Sequence, residues 1–211
     1  ATASAVENVA STGAGSASKT TFGGYGELHY NNLSNDSTGV DKSEIDFHRF
    51  VIFFGHEFSD SLRFNSEFEI EHVIAGDGQV GEVEVEQAYI EKDFTDNISA
   101  KGGLFLMPVG IINETHEPPA FYGTERNPVE KNIIPATWWE GGVAGNIHYS
   151  NGLSFDLGFT SGLYLTEGTN FAIRNGRQKV GKAKADSGLF SGRVKYTGVP
   201  GLGLALTAMY Q

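Results

Sequence analysis

Apolar and polar residues alternate along most of this chain. In the stretch LRFNSEFEIEH (62–72), Arg63, Asn65, Glu67, Glu69 and Glu71 share one parity, and Phe64, Ser66, Phe68 and Ile70 share the other. Successive side chains of a strand point to opposite faces, so this segment has one acidic face and one apolar face. Strand-like segments also run over 20–31, 44–58, 82–94, 97–108, 139–150, 153–163, 188–197 and 201–210. In 153–163, Leu153, Phe155, Leu157, Phe159 and Leu163 oppose Ser154, Asp156, Gly158 and Thr160. In 188–197, Phe190, Val194 and Tyr196 oppose Arg193 and Lys195; in 20–31, Phe22, Leu28 and Tyr30 oppose Tyr25, Glu27 and His29. Segment 44–58 is less regular: Phe50, Ile52 and Phe54 share a parity, but Val51 and Phe53 sit on the other. No amphipathic helix of useful length interrupts the series. Regular strands separated by turn residues predict an antiparallel all-β architecture.

The connections alternate in length. Ser59-Asp60, Thr95-Asp96, Ser150-Asn151-Gly152 and Val199-Pro200 read as tight turns, whereas 32–43, 75–81, 109–138 and 164–187 read as long loops. Short turns at one end and long loops at the other are the build of an outer-membrane barrel, a segregation that a soluble β-sandwich does not need. Ionisable groups beside glycine on the polar faces suit an aqueous lumen. Tyr30, Tyr89, Tyr149, Tyr196 and Tyr210, near strand ends on the apolar parity, suit an aromatic girdle. The pattern predicts a transmembrane antiparallel β-barrel over 20–211, preceded by a flexible leader over 1–19 that is rich in Ala, Ser, Thr and Gly. Nine strands are legible, and single-chain bacterial barrels have an even number. The odd count implies an incomplete barrel, closed by further strands of a longer chain or by partner chains.

Composition narrows the function classes. The 211 residues include no Cys, which excludes disulfides, thiolate catalysis and Cys-bound metal. The net charge of −11 argues against nucleic acid as a partner. No apolar run is long enough for a transmembrane helix, which leaves spanning strands open. The opening Ala1-Thr2-Ala3-Ser4-Ala5 reads as a mature terminus after signal-peptide removal, and so as delivery to the bacterial outer membrane; a cloning boundary would look the same.

Three stretches resemble outer-membrane porins of the phosphate-selective porin O and P type: FHRFVIFFGHEFSDSLRFNSEFEIEH, GEVEVEQAYIEKDF and FYGTERNPVEKNIIPATWWEGGVAG, of which ERNPVEKNIIPATWWEGG is the most specific. The likeness runs from about Phe22 to about Leu163. It implies a barrel of roughly 16 strands, often trimeric, that passes small hydrophilic solutes, with the third external loop folded inward as a constriction. Loop 109–138, the longest, takes that place here. One departure matters. The family's phosphate selectivity is associated with a lysine ladder and an arginine cluster, and carboxylates occupy the readable lumen positions here. Phosphate specificity is therefore not carried over. Carboxylates concentrate cations within a Debye length of about 8 Å, which predicts a weakly selective or cation-preferring pore.

The expected pore-lining residues are Glu27, Arg49, Arg63, Glu67, Glu69, Glu71, Glu84, Glu86, Arg193 and Lys195. Two readings of the Glu ladder stand: an electrostatic filter, or a solvated wall that keeps the pore wet. In loop 109–138, four prolines stiffen the chain, and Glu117, Glu125, Arg126 and Glu130 are the candidate constriction charges. The alternative is an external loop with a solvated charge run. Trp138-Trp139 suggests an anchor or plug that holds the loop to the wall rather than a sugar-stacking platform. The basic loop 164–187, with Arg174, Arg177, Lys179, Lys182 and Lys184, suits either lipopolysaccharide phosphates or free solvent.

The six His (29, 48, 56, 72, 116, 148) show no metal-ligand spacing, and neither a nucleotide nor a hydrolase motif occurs, so no metal, cofactor or catalytic residue is expected. An outer-membrane enzyme would need a nucleophile beside a base; Ser161 and His148 are on neighbouring strands but on opposite parities. Two function classes remain: a diffusion porin whose partners are lipid, lipopolysaccharide, small solutes and its own copies, and a structural or surface-interaction protein whose external loops bind a partner.

Overall fold

The structure, a computed structural model, describes residues 19–211. The expected leader over 1–19 lies, Lys19 apart, outside the described residues. Nine strands follow one another: β1 (Thr20–Leu33), β2 (Lys42–Ser59), β3 (Leu62–Glu71), β4 (Val83–Thr95), β5 (Ile98–Leu106), β6 (Trp139–His148), β7 (Leu153–Thr160), β8 (Leu189–Val199) and β9 (Leu202–Tyr210). They form one antiparallel sheet in the order β1-β2-β3-β4-β5-β6-β7-β8-β9. Each strand pairs only with its chain neighbours, the arrangement that short hairpin turns allow without a crossover. The sheet is not closed: among the described residues β1 and β9 do not pair. Among those residues, no helix is long and apolar enough to cross a membrane.

The alternation of short and long connections holds. Tight turns join β2 to β3, β4 to β5, β6 to β7 and β8 to β9, all at one end of the sheet; the long loops lie at the other. Gly152 shows what a tight turn demands. Its φ is +87°, and a Cβ there would stand 2.4 Å from the Gly198 nitrogen near the end of β8.

Two bulges explain where simple alternation fails. In the β1–β2 ladder Glu27 pairs with Arg49 and Leu28 with Phe47, which leaves His48 as the extra residue. In the β3–β4 ladder Glu67 pairs with Gln87 and Phe68 with Val85, which leaves Glu86 as the extra residue. A bulge puts two consecutive side chains on nearly the same face and reverses the parity beyond it. Ile45 and Phe47 therefore share the apolar face with Phe50, Ile52 and Phe54. The same reversal corrects one girdle residue: Tyr89 lies mid-strand on the polar face, opposite Asn65 and Gly103, with the Lys101 ammonium 5.1 Å from its ring centre. Strand β7 also ends earlier than the sequence suggests, so Leu163 leaves the apolar parity and is buried with Phe105, Met107, Trp138 and Leu189.

Burial is inverted relative to an ordinary soluble sheet. Leu157 is 69% exposed, Ile45 73%, Phe22 61% and Leu206 75%. The fully buried residues include Glu67, Glu69, Glu86, Glu140 and His116. Soluble proteins keep isolated large apolar residues on the surface without consequence, but a contiguous apolar face over a charged interior is a different arrangement.

Candidate functional site

Loop 107–138, between β5 and β6, folds back across the polar face of the sheet. Asn113 staples its two ends. The side-chain amide donates to the carbonyls of Met107 (2.7 Å) and Trp138 (2.8 Å), and its Oδ1 accepts from the Trp138 N–H (2.8 Å). Asn113 is fully buried, so these bonds satisfy groups that no solvent reaches. Trp138 plugs the neck: its indole N–H donates to Glu140 (2.8 Å), and Glu140 also accepts from the Gly162 N–H (3.0 Å) and the Ser161 hydroxyl. Trp139 is buried as well, and its indole N–H donates to the Lys179 carbonyl at 3.3 Å. Both tryptophans hold loops to strands and offer no sugar platform.

From this neck the loop reaches both flanks of the sheet. His116 meets Glu67 and Glu86 on β3 and β4, and Glu114 pairs with Arg193 on β8. Glu125 lies 3.4 Å from His29 on β1. Thr207 on β9 donates its hydroxyl to the Pro108 carbonyl at 3.0 Å. Between loop and wall, Lys101, Phe105, Glu114, Asp156 and Ser191 line a cleft.

The deepest contact is at His116. Its Nε2 stands 2.8 Å from Glu86 Oε2 and 3.6 Å from Glu67 Oε1, and its Nδ1 is 3.0 Å from the Asn113 carbonyl oxygen. A carbonyl only accepts, so Nδ1 carries a hydrogen and Nε2 faces the carboxylates. Burial alone would lower the basicity of this imidazole. The two carboxylates outweigh that and push its pKa up to about 10, so the free protein holds His116 as an imidazolium. Around it, Arg49 reaches Glu27 at 2.8 Å and Glu69 at 3.6 Å, and Gln87 donates to Glu67 at 2.7 Å. Arg126 donates to the His116 carbonyl at 3.2 Å.

The structure sorts the sequence candidates. Glu27, Arg49, Glu67, Glu69 and Glu86 come together in one cluster. Glu67, Glu69 and Glu86 are 1%, 1% and 2% exposed, so they form a covered ion-pair network and not the solvated ladder expected of them. Glu71 stands opposite Arg49 and is half-buried. Glu84 pairs with Lys179 near the loop end. Arg63 belongs to a separate group at the turn end, with Glu91 at 3.0 Å and Asp93 at 2.6 Å. Arg193 bridges Asp156 (2.7 Å) and Glu114, and Lys195 is exposed.

Of the four loop candidates, Glu117 and Arg126 are half-buried against the cluster and Glu125 is exposed. Glu130 is corrected. It is 3% exposed and accepts the backbone N–H groups of Ile111 (3.0 Å) and Ile112 (3.4 Å), so it braces the loop from within rather than facing solutes.

The basic loop is not wholly free either. Arg177 donates to the Thr137 carbonyl (2.7 Å) and Arg174 to that of Lys131 (2.6 Å). Burial, with Arg174 close by, pushes the Arg177 pKa down to about 10. Lys179 meets Glu82 at 2.7 Å as well as Glu84. The Glu82 carboxyl is held below its usual range by the Lys179 ammonium. Ser161 lies past the far end of β7 with its hydroxyl on Glu140, and His148 is at the turn end of β6, so the two form no dyad.

Sequence reasoning missed His116, Glu114, Lys101 and Asp156 as members of this network. Only folding brings them to Glu86, Arg193 and the cleft.

No family model matches the chain. It is similar to an uncharacterized protein of Aquifex aeolicus (strain VF5), 41% identical over 180 residues, which is 83% of this chain and 40% of that protein. The chain thus spans well under half the length of the relative it matches.

Proposed function

We propose that this chain forms part of an outer-membrane β-barrel whose polar face lines a water-filled channel for small hydrophilic solutes and ions. The observation that carries this reading is the inverted burial. Leu157, Leu206, Phe22 and Ile45 are exposed on one face of the sheet, and Glu67, Glu69, Glu86 and Arg49 are buried on the other. A face of large apolar side chains is stable against hydrocarbon, whereas open sheet edges in lipid are not. Further strands, from a longer chain or from copies, would complete the sheet beyond β1 and β9, which do not pair with each other among the described residues. The resemblance to phosphate-selective porins, which rests on the three quoted stretches, supports a trimeric barrel of that kind.

Loop 107–138, folded across the polar face, is the constriction in this proposal, and the cleft it leaves beside Lys101 and Asp156 belongs to the solute path. Since His116, Arg49 and Arg126 cover the central carboxylates, selectivity falls to exposed groups such as Glu125 and Lys195. Carboxylates outnumber basic groups on the polar face, which supports a weak cation preference and no phosphate selectivity.

Planar-bilayer recording tests the reading. Stepwise conductance in a salt gradient, with a reversal potential displaced toward the cation, is expected. A detergent-free, monomeric, soluble protein that gives no conductance would overturn it.

A further inference from the structure

We infer that His116, Glu67 and Glu86 are ligands of a divalent transition-metal ion that cross-links loop 107–138 to strands β3 and β4. His116 Nε2, Glu67 Oε1 and Glu86 Oε2 are each buried without an aligned hydrogen-bond partner, and they point at one another. All three residues are at most 2% exposed. Buried polar atoms without an aligned hydrogen bond are costly, and three ligand-type atoms that converge from separate elements suit one shared ion better than ion pairs of poor geometry.

Their spacing is close to that of an ion's ligands. In a tetrahedral site with bonds of ~2.0–2.2 Å, ligand atoms stand about 3.3–3.6 Å apart. The three atoms here lie within 4.8 Å of one another, with Nε2 at 3.6 Å from Glu67 and 2.8 Å from Glu86. Small rotamer changes would reach that spacing.

The surroundings are those of a ligand set. The His116 Nδ1–H is fixed on the Asn113 carbonyl, which aims the other nitrogen inward, and Gln87 orients Glu67 through its second oxygen. Outer partners of this type fix the tautomer and rotamer of metal ligands. In the metal-free protein Glu67, Glu69 and Glu86 are met by Arg49, which is shared with Glu27, and by the His116 imidazolium, whose Nε2 proton leaves as the ion binds. One imidazole nitrogen with two carboxylate oxygens suits Zn²⁺, Mn²⁺ or Fe²⁺; Ca²⁺ and Mg²⁺ want more oxygen ligands.

A second cluster, Asp46, His48 and His72, lies half-exposed at the loop end and is the control. Its imidazoles already donate to Asp46, at 3.1 Å and 2.8 Å.

The test titrates the full chain in detergent with zinc chloride, followed by calorimetry, and records the absorption spectrum with Co²⁺. The wild type and a D46N/H72Q variant should each retain one high-affinity Zn²⁺ site and show Co²⁺ bands of an imidazole-ligated, low-coordinate centre. H116Q and E86Q should lose that site. Unchanged Zn²⁺ affinity in H116Q, or no Co²⁺ bands in D46N/H72Q, would overturn the assignment. The D46N/H72Q arm leaves the buried site intact, so it decides the matter even where H116Q does not fold.

Discussion

Leu157→Arg separates lipid from water as the solvent of the apolar face. Leu157 is central in β7, opposite Gly145 and Gly192, and 69% exposed. In water, a substitution at such a site changes stability by no more than about 0.5 kcal/mol. In a bilayer the outcome depends on depth. Leu157 is four residues into β7 from the tight-turn end, about 13 Å along the strand at ~3.3 Å per residue. With a strand tilt of ~40° that is about 10 Å of height, near the middle of an apolar band ~25 Å tall. An arginine there costs roughly 2–4 kcal/mol, and about 3 kcal/mol shifts the folding equilibrium on the order of a hundredfold. Urea unfolding in phospholipid vesicles reads the difference, with the chain's two tryptophans, both in the loop neck, as reporters. Leu157→Phe is the control and should be nearly neutral. If Leu157→Arg matches Leu157→Phe within about 0.5 kcal/mol, the face does not meet hydrocarbon and the reasoning fails.

Three further outcomes follow from the site. Glu125→Lys places a cation on an exposed loop carboxylate and should move the reversal potential in a salt gradient toward anions while folding is unchanged; an unaltered potential would remove Glu125 from the solute path. Asn113→Leu strips the Trp138 N–H and two carbonyls of their buried partner and should cost about 3 kcal/mol, seen as protease cleavage within 107–138; an uncut loop would show that the staple is dispensable. Glu82 has a lowered pKa, so its tie to Lys179 is intact above the usual carboxylate value of 4.5 and is lost as pH falls through the lowered one. Because the Lys179 ammonium lies 5.8 Å from the Trp139 ring centre, tryptophan emission should step as pH falls below the usual carboxylate value of 4.5, and K179M should abolish the step.

Strand order was legible because alternation is local: Phe64 and Glu67 declare their faces wherever the chain goes. So were the tight turns, whose Asp, Asn and Gly carry their own geometry. The bulges were not. His48 and Glu86 look like ordinary strand positions, and only the neighbouring strand's register makes each the extra residue, which is why Tyr89 was placed on the wrong face. The site was legible in half. Glu67, Glu69 and Arg49 declare a polar face, but whether they are wet depends on a loop whose landing point no local pattern encodes. Glu130 illustrates the limit. A charged residue among prolines reads as solvent-facing, whereas it serves the backbone of its own loop.

The inverted burial sets different rules of drift for the two faces. Where the apolar face meets lipid, as proposed, there is no fixed shape to be complementary to, so Phe22, Leu157 and Leu206 should exchange freely with other greasy side chains as long as hydropathy is kept. On the covered side each group is matched to a named counterpart. A change at Glu86 leaves His116 with Glu67 alone, 3.6 Å away, and a change at Arg49 removes the guanidinium that Glu27 and Glu69 share. In a set of diverged sequences the exterior should therefore vary position by position, and the interior should change in linked pairs or not at all.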